Sequence, residues 1–289
     1  KKFNIMFETH VGVKKGETLK TYLRGEACQT IYLDFKNIVD SVRIKIPFGI
    51  AQIGKAFRNE ITPKNFLYRT REFEQWDIQF FIHPKDEKFW FDYWKENRMN
   101  FYKKFFNEPD KLHLRQHEKD ELVFYAKDAY DIEYNAPWGW AEIEGVHDRT
   151  DYDLKQHSEF SHQDLQYLDP ETHEKYFPYI IESSGGVDRS FFFLLLDAYQ
   201  EEKLENGETR TVLKIHPQIA AYKMCIIPLA SNKPELIDKA EQIYSKLYSK
   251  YSIDFDDSSN IGKKYRRQDE IGTPWCLVVD YQTLEDQTV

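Results

Sequence analysis

The chain has 289 residues, of which 41% are hydrophobic and 31% are charged, and its formal net charge is −9 at pH 7. This length exceeds the usual size of one domain, so we expect two domains, each with enough apolar residues for a core. The acidic balance argues against a basic surface that binds nucleic acid along the whole chain, and local clusters must decide that question.

The cysteines and the hydropathy pattern favour a reducing, aqueous compartment. Cys28, Cys225 and Cys276 lie far apart, and none has a cysteine or histidine neighbour at metal-ligand spacing. We expect three small buried side chains rather than disulfides or a zinc site. The sequence has no apolar run near the roughly 20 residues of a membrane span, and its start, KKFNIMFETH, lacks a signal-peptide core. We therefore expect a soluble, cytoplasmic protein with no membrane partner.

The first predicted elements are a helix and a pair of strands. Apolar residues recur at helical spacing over 27–43, which predicts an amphipathic helix that Pro47 ends. Two strands follow, over about 48–60 and 71–83, with turn residues in the loop ITPKNFLYRT between them. That loop is long for a hairpin, and excess loop length often has a functional reason.

A second helix is predicted over 85–106, with an inward stripe formed by Phe89, Trp90, Tyr93 and Trp94. Further along, residues 138–146 predict a strand, and YIIESSGGVDRSFFFLLLDAY predicts a strand that turns at a Gly-Gly pair into a buried helix. The charged segment QEEKLENGETR interrupts the pattern. After it, a strand, a helix that begins near a proline, and two more strands follow, as in an α/β unit.

The hairpin strands carry residues that suit a nucleotide. Because strand side chains alternate between faces, Arg58 and Glu60 share one face, and Arg71, Phe73, Gln75 and Asp77 share another. The even-numbered residues from 76 to 82 form the apolar set, which we expect to face the buried side. A guanidinium can neutralise a phosphate, a ring can stack on a base, and a carboxylate can accept from an amine. The alternative is a set of exposed cross-strand ion pairs, each worth under about 1 kcal/mol.

Five long segments, which begin at Tyr22, Gly49, Trp140, Tyr179 and Asp256, carry motifs of a known family in the family's order. They resemble the homodimeric glycyl-tRNA synthetases, a family of class II aminoacyl-tRNA synthetases. GIAQIGKAFRNEITPKNFLYRTREFEQWDIQFF resembles motif 2, and YIIESSGGVDR resembles the motif 3 sequence VIEPSAGVDR. YLRGEACQTIY resembles YLRPETAQGIF, and WAEIEGVHDRTDYDL resembles WGELEGI…R.DFDL. DDSSNIGKKYRRQDEIGTPWCLVVDYQTLED resembles the anticodon-domain signature.

The resemblance implies an α+β catalytic domain over residues 1–207, with an antiparallel sheet flanked by helices, followed by an α/β anticodon-binding domain over 208–289. It also implies a homodimer that activates glycine with ATP and Mg²⁺ and transfers it to the 3′ end of tRNA(Gly). Two alternatives stay open. One is a catalytically weakened, synthetase-like protein that binds nucleic acid, as a polymerase accessory subunit does. The other is an enzyme for alanine or serine.

By this resemblance, Arg58 and Arg189 are the catalytic residues, holding the α- and γ-phosphates of ATP. Glu60 would bind the adenine amino group, Phe73 would stack on the base, and Glu142 would handle ATP and Mg²⁺, a cation that prefers hard oxygen ligands. Without the resemblance, Arg189 could simply tie a helix end to an acid. The implied ATP-binding residues are Arg58, Asn59, Glu60, Tyr68, Arg69, Thr70, Arg71, Glu72, Phe73, Glu142, Ile143, Gly186, Val187, Asp188 and Arg189.

Glycine offers no side chain to recognise, so its site must grip the ammonium and carboxylate and fill the remaining space. The glycine-binding residues implied by the resemblance are Glu26, Phe73, Glu74, Gln75, Trp76, Asp77, Glu182, Ser183, Ser184, Gly185 and Gly186. Several carboxylates around one ammonium should repel one another in the empty site, which predicts raised carboxylate pKa values. For tRNA, the candidates are Lys263, Lys264, Arg266 and Arg267 around Tyr265, with a solvated charged face as the alternative.

The chain departs from the family pattern in three respects. Asp77 stands where the family has glutamate, and the shorter reach predicts that Asp77→Glu would lower the KM for glycine. Gly25, Ala27 and Thr30 replace a proline, a threonine and a glycine, and Ser183 replaces a proline, which loosens two segments. The chain also begins after motif 1 and stops before the last elements of the anticodon domain. We therefore expect a piece of a longer protein.

Overall fold

The computed structural model describes residues 4–14 and 16–289. The chain forms two compact units. One extends to Tyr102 and includes Asp110–Phe193, and the other consists of Lys103–Pro109 and Leu194–Val289. Within the described ranges, no helix has both the length and the apolar character that a membrane crossing requires.

The first unit is built on an antiparallel sheet, as predicted. Across this sheet, six strands lie side by side that begin at Phe48, Glu72, Tyr179, Gly139, Asp128 and Leu112, and every pair is antiparallel. The elements that begin in this unit are β1 (Glu8–Lys14), β2 (Glu17–Tyr22), α1 (Gln29–Val42), β3 (Phe48–Phe57), β4 (Glu72–Ile82), α2 (Glu87–Phe105), β5 (Leu112–Gln116), β6 (Asp128–Ala136), β7 (Gly139–Thr150), α3 (Tyr152–Ser161), β8 (Tyr167–Leu168), β9 (Lys175–Tyr176), β10 (Tyr179–Gly186) and α4 (Val187–Ala198).

Both faces of this sheet are covered, which corrects the predicted burial of β4. Helix α1 packs Phe35 against Phe81 on one face, and α2 packs Phe91 in a cluster with Ile82 on the other. The odd-numbered residues of β4 from Gln75 to Phe81 are all buried. The prediction that only the even-numbered face is buried was wrong, because α1 closes the face that carries the candidate site.

Two helix predictions also need correction. Helix α1 ends at Val42, because Arg43 adopts a left-handed conformation with φ of 55° and donates its N–H to the Val39 carbonyl; Pro47 lies further on. In α2, Trp90 and Trp94 pack against the Phe80 ring, at centroid distances of 4.8 and 5.3 Å.

The other two aromatic residues of the predicted stripe in α2, Phe89 and Tyr93, are 65% and 45% exposed. The inward face of α2 instead continues through Phe91, Met99 and Tyr102, which are buried. The prediction that Phe89 and Tyr93 face the core was therefore wrong.

The second unit contains a parallel α/β fold, as predicted. The strand Met224–Pro228 lies between the strands Ile253–Phe255 and Trp275–Val279 in a parallel sheet. Ile226, Ala240, Ile253 and Val279 form its buried core. The elements that begin in this unit are β11 (Tyr199–Lys203), β12 (Thr209–Leu213), β13 (Met224–Pro228), α5 (Pro234–Leu247), β14 (Ile253–Phe255), α6 (Ile261–Ile271), β15 (Trp275–Val279) and α7 (Tyr281–Asp286).

The division between the units falls before the β11–β12 hairpin. These strands pair from Tyr199↔Leu213 to Lys203↔Thr209. A boundary between residues 207 and 208, as predicted, would cut through the hairpin turn. Because paired strands share their hydrogen bonds, the hairpin stays whole and belongs to the second unit.

Candidate active site

A cavity of about 380 Å³ lies on the α1 side of the first unit's sheet. Its lining combines predicted residues with others that the sequence did not indicate. The lining residues are Glu26, Arg58, Glu60, Leu67, Tyr68, Arg69, Thr70, Phe73, Gln75, His117, Val123, Tyr125, Ala129, Asp131, Glu142, Gly145, His147, Glu182, Ser184, Gly185, Gly186, Asp188 and Arg189. Cavities of this volume are typical of small-molecule sites.

The register of β4 and β10 gives the cavity two chemically different ends. Phe73 lies near the start of β4, whereas Gln79, six residues further along, pairs with Glu182 of β10. At about 3.4 Å per residue, that is a separation of roughly 20 Å along the sheet. We call the end around Arg58, Tyr68, Phe73, Glu142 and Arg189 the arginine end. The acid end consists of Glu26, Asp77, His147, Arg149 and Glu182.

At the arginine end, Arg58 lies directly after β3, where its N–H donates to the Arg71 carbonyl. Its Nε donates to the Gly25 carbonyl over 3.1 Å. The guanidinium carbon lies 5.5 Å from the centre of the Phe73 ring. A cation and a stacking ring therefore share one wall of the cavity, as the alternation of the hairpin strands predicted.

Arg189, at the start of α4, forms the other cationic group of this end. Its Nε donates to the Tyr68 carbonyl over 3.3 Å, and its Nη1 lies 3.1 Å from Oε1 of Glu142. The guanidinium carbon lies 4.6 Å from the Tyr68 ring centre. The Glu142 side chain is 45% exposed, so its carboxylate oxygens remain open to a ligand from the cavity.

At the acid end, Arg149 is almost fully buried and joins two carboxylates. Its Nε and Nη2 donate to Asp153 over 2.8 and 2.9 Å, and its Nη1 donates to Oε2 of Glu182 over 2.7 Å. The Tyr125 ring lies 3.9 Å from its guanidinium carbon. Nδ1 of His147 lies 3.0 Å from the same Glu182 oxygen. Glu182 is thus held from two sides by cationic or hydrogen-bonding groups.

These contacts decide the charge of Glu182. Burial alone would raise the pKa of the Glu182 carboxyl, but the Arg149 charge and the His147 contact outweigh burial and hold that pKa well below its usual range. The prediction of raised carboxylate pKa values was therefore wrong for Glu182. The site supplies its own counter-charges, so Glu182 is ionised at neutral pH.

The pKa of the Asp77 carboxyl group shifts in the opposite direction. Asp77 lies beneath the cavity and is not one of its lining residues. It is 0% exposed, and its Oδ1 accepts from Nε2 of Gln79 over 2.5 Å. Its Oδ2 has no hydrogen-bond partner among the described residues. Burial and the nearby charge of Glu182 raise the pKa of Asp77 to about 8, so the prediction of a raised pKa was correct here. At pH 7 the acid end therefore has a neutral Asp77 carboxyl group next to the ionised Glu182 carboxylate.

Some residues assigned to the site by resemblance have side chains elsewhere. Ser183 donates its hydroxyl to Oε1 of Glu144 over 2.6 Å, and Trp76 lies under the Arg98 guanidinium at 4.9 Å. Both point to the α2 side, because neighbouring residues of a strand alternate faces. Of the residues assigned by resemblance, those outside the cavity lining are Asn59, Arg71, Glu72, Glu74, Trp76, Asp77, Ile143, Ser183 and Val187.

The reasons differ among these residues. Arg71 donates from Nε to the Glu60 carbonyl over 3.0 Å, and Glu72 pairs with Lys55 at 2.6 Å, both on exposed surface. Ile143 is 0% exposed and belongs to the core. These three side chains lie outside the cavity lining, and their assignment to ATP binding stays a prediction.

The sequence reading missed part of the lining. The loop between β5 and β6 contributes His117, Val123 and Tyr125, and β6 contributes Ala129 and Asp131, and neither segment was predicted. A signal did exist for His147 and Arg149. Both fall inside the segment WAEIEGVHDRTDYDL, at every second residue after the cavity-lining Gly145.

Helix α6 changes the interpretation of the basic cluster in the second unit. Lys264 is 0% exposed, and its Nζ donates to the Pro228 carbonyl over 2.8 Å. Arg267 pairs with Asp256 at 2.5 Å. The helical period turns Lys264 inward, so its side chain cannot contact RNA and that prediction was wrong, whereas the Arg267 side chain stays 41% exposed. Lys263 and Arg266 remain exposed, with Tyr265 between them at 40% exposure.

Comparisons with known proteins agree with both units. The family profile described as tRNA synthetase class II core domain (G, H, P, S and T) matches residues 12–199, and the anticodon binding domain profile matches residues 223–289. The chain is similar to the glycine–tRNA ligase of Borreliella afzelii, with 53% identity over 290 residues that cover 99% of this chain and 65% of the relative.

Other bacterial glycine–tRNA ligases are similar to the same extent. The enzyme of Clostridium tetani is 51% identical and that of Geobacillus kaustophilus 48% identical, each over 100% of this chain and 62% of the relative. The chain thus spans less than two thirds of the length of these relatives. The core-domain match covers most of the first unit and places the cavity inside it, so the chain belongs to the class II tRNA synthetase family.

Proposed function

We propose that this chain is the catalytic core and anticodon-binding part of a glycine–tRNA ligase. The observation that supports this most strongly is the two-ended cavity, in which a cation-and-ring end suited to ATP faces a carboxylate end suited to an ammonium group. The similarity to glycine–tRNA ligases across both units supports the same substrate.

ATP would occupy the arginine end. Phe73 would stack on the adenine, Glu60 would accept from its amino group, and Arg58 and Arg189 would neutralise the phosphates. Glu142, half-exposed beside Arg189, offers hard carboxylate oxygens that fit the Mg²⁺ that accompanies ATP. When bound, that ion would neutralise further phosphate charge.

Glycine would occupy the acid end, with its ammonium beside the ionised Glu182 and within reach of Glu26. Arg149 and His147 fix the Glu182 carboxylate before the substrate arrives, which saves the cost of ordering it on binding. A filled floor beneath the ammonium would leave no room for a side chain, which would exclude alanine.

The reaction follows from this placement. The glycine carboxylate would attack the α-phosphorus of ATP in line, pyrophosphate would leave, and the terminal ribose hydroxyl of tRNA would then take glycine from the adenylate. No side chain acts as the nucleophile. Positioning of the two substrates and charge neutralisation by Arg58 and Arg189 would supply most of the acceleration.

The second unit would contact tRNA(Gly), and the full-length protein would act as a cytoplasmic homodimer. Of the basic residues on α6, Lys263 and Arg266 are the exposed ones. Replacing Lys263 by alanine should weaken tRNA binding and reduce the salt dependence of the binding constant by about one phosphate contact. The salt dependence is measured by filter binding. If the Lys263→Ala variant leaves it unchanged, Lys263 does not contact the tRNA.

The function is tested by amino-acid-dependent ATP–pyrophosphate exchange on the full-length protein, with glycine, alanine and serine compared. We expect exchange with glycine and at least about 100-fold less kcat/KM with the other two. If alanine or serine supported faster exchange than glycine, that amino acid, and not glycine, would be the substrate. No exchange with any of the three, together with retained tRNA binding, would favour the non-catalytic nucleic-acid-binding alternative.

A further inference from the structure

We propose that Cys28 is a specificity-determining residue of the amino-acid site, acting as a size-matched partner of Asp77 in the floor beneath the ammonium position. This inference rests on the proposed function. It adds a residue that the resemblance did not assign and reverses the expected effect of lengthening Asp77.

The geometry places three groups together under the acid end. The Sγ of Cys28 and one carboxylate oxygen each of Asp77 and Glu182 all lie within 4.8 Å of one another. Cys28 and Asp77 are both 0% exposed, and Glu182 is 4% exposed. Of the three, only Glu182 borders the cavity. Cys28 and Asp77 therefore form the layer directly behind it.

Cys28 is held firmly in this position. It lies at the start of α1, where its carbonyl accepts from the Ile31 N–H over 2.9 Å. The preceding residue is fixed as well, because the Ala27 N–H donates to Oε1 of Gln75 over 3.0 Å. On the other side, Gln79 donates to Asp77 and accepts from the Tyr32 hydroxyl over 2.8 Å. Cys28 and Asp77, whose side-chain atoms lie within 4.8 Å of each other, are therefore both anchored by hydrogen bonds of their own or neighbouring residues.

Because Cys28 and Asp77 are both fully buried, an added methylene at position 77 would have to fit into a filled interior. Interiors are filled to crystal-like density, so a longer side chain at position 77 must displace its neighbour or leave its rotamer. Both positions also differ from the motifs that the chain resembles, where glutamate stands for Asp77 and YLRPETAQGIF has alanine for Cys28. The shorter acid is thus accompanied by a larger neighbour.

Two consequences follow for substrate choice. Removing the Cys28 sulfur opens space behind Glu182, into which the floor can relax to admit a methyl group on the substrate. Lengthening Asp77 while Cys28 is present pushes the carboxyl group out of place. Asp77→Glu alone is therefore expected to impair glycine use, contrary to the expectation from side-chain reach alone.

The test is a double-mutant cycle of Asp77→Glu and Cys28→Ala in the full-length protein, read by ATP–pyrophosphate exchange with glycine and alanine. We expect Asp77→Glu to lower kcat/KM for glycine at least about 10-fold with Cys28 present, and the double variant to recover at least about fivefold of that loss. Cys28→Ala alone should lower the glycine-to-alanine preference by about 10-fold or more.

Two matched controls separate this role from general packing. Cys225→Ala removes another fully buried cysteine, in the second unit, and should leave the glycine-to-alanine preference within twofold of wild type. Cys28→Ser keeps the size of the side chain and should retain most of the preference. Equal effects of Asp77→Glu with and without Cys28, or an unchanged preference in Cys28→Ala, would overturn the proposal.

The same variants separate this inference from the proposed function. If the wild type shows no glycine-dependent exchange, the proposed function fails. Thermal unfolding of the four proteins of the cycle then still tests the contact. Asp77→Glu should lower Tm more with Cys28 present than with alanine there, and additive Tm changes would refute the size-matched pair.

Discussion

The two ends of the cavity hold their charges in different ways. At the arginine end, Arg58 and Arg189 are half-buried and donate to the backbone carbonyls of Gly25 and Tyr68, and Arg189 also pairs with the half-exposed Glu142. At the acid end, Arg149 and Glu182 are buried in a network in which each charge has a charged partner. The first arrangement can adjust to a flexible triphosphate. The second presents a fixed carboxylate to a small, rigid ammonium.

This difference predicts different consequences for mutations at the two ends. Charges that are buried and paired affect stability as well as function, because removing one partner leaves the other uncompensated. Removing a charge that lies at the cavity wall and is held by a backbone carbonyl group should mainly weaken the binding of the ligand, with little effect on stability. Comparing free energy of unfolding with activity, end by end, therefore checks the structure directly.

The largest effect is expected for Arg149→Met, which leaves the buried Glu182 and Asp153 carboxylates without their shared cation. The free energy of unfolding should fall by about 3–5 kcal/mol, as measured by chemical denaturation. Arg149→Lys should recover part of this loss, because it restores the charge without the forked geometry. A loss below about 1 kcal/mol for Arg149→Met would mean that the acid end is not built on this network.

The neutral state of Asp77 predicts a pH dependence. Its pKa is about 8 in the folded protein against an ordinary value of 3.8, so the folded state retains a proton that the unfolded state loses. The contribution of the protonated Asp77 carboxyl group to the free energy of unfolding is fully present below about pH 4 and is lost as the pH rises through about 8. Even half of the rise in the Asp77 pKa would change the free energy of unfolding by about 3 kcal/mol.

Asp77→Asn should remove this dependence. The variant should gain stability over the wild type between pH 5 and pH 8, and the difference should level off above pH 8. Denaturation curves for both proteins at several pH values measure this difference. A constant difference across this range would show that Asp77 is already ionised in the folded protein.

At the arginine end, Arg58→Ala should lower kcat/KM for ATP–pyrophosphate exchange at least about 100-fold, because a phosphate charge loses its positioned partner. The free energy of unfolding should change by less than about 1 kcal/mol. Arg43→Ala, an exposed arginine after α1, serves as the control and should leave the exchange unchanged. Retention of more than about a hundredth of the activity by Arg58→Ala would contradict the phosphate role.

A smaller effect is expected for Phe73→Leu, which keeps the apolar volume but removes the flat ring. The KM for ATP should rise by about 10-fold with little change in kcat, because stacking on a base is worth about 1–3 kcal/mol. The KM for glycine should stay within about twofold. Equal changes in both KM values would mean that the two ends do not bind separate substrates.

The sequence predicted the arginine end better than the acid end, for a physical reason. Arg58 and Phe73 lie on a local hairpin, where alternation alone places side chains on faces. The Arg149–Glu182 contact joins β7 to β10 across 33 residues of chain. His117 and Asp131 depend on strands β5 and β6, which were not predicted although YDIEYN in β6 alternates apolar and polar residues. Such contacts depend on strand order, which periodicity does not encode.

Burial was the other quantity that local pattern could not supply. The odd-numbered face of β4 looks polar, yet Gln75, Asp77 and Gln79 are buried because α1 covers them. Lys264 looks like part of a basic surface, yet the helix that contains it turns it toward the carbonyl of Pro228. In both places a polar side chain is buried against a specific partner.

The most direct test of the acid end is the proton balance of glycine binding. Glycine is titrated calorimetrically into the full-length protein at pH 7 in two buffers of different ionisation enthalpy. If the ammonium binds above the ionised Glu182 and the neutral Asp77, Asp77 should lose its proton, and most of one proton should be released per bound glycine. Asp77→Asn should bind without that release. Binding with no proton release in the wild type, or with the same release in the variant, would contradict the charge state assigned to this end.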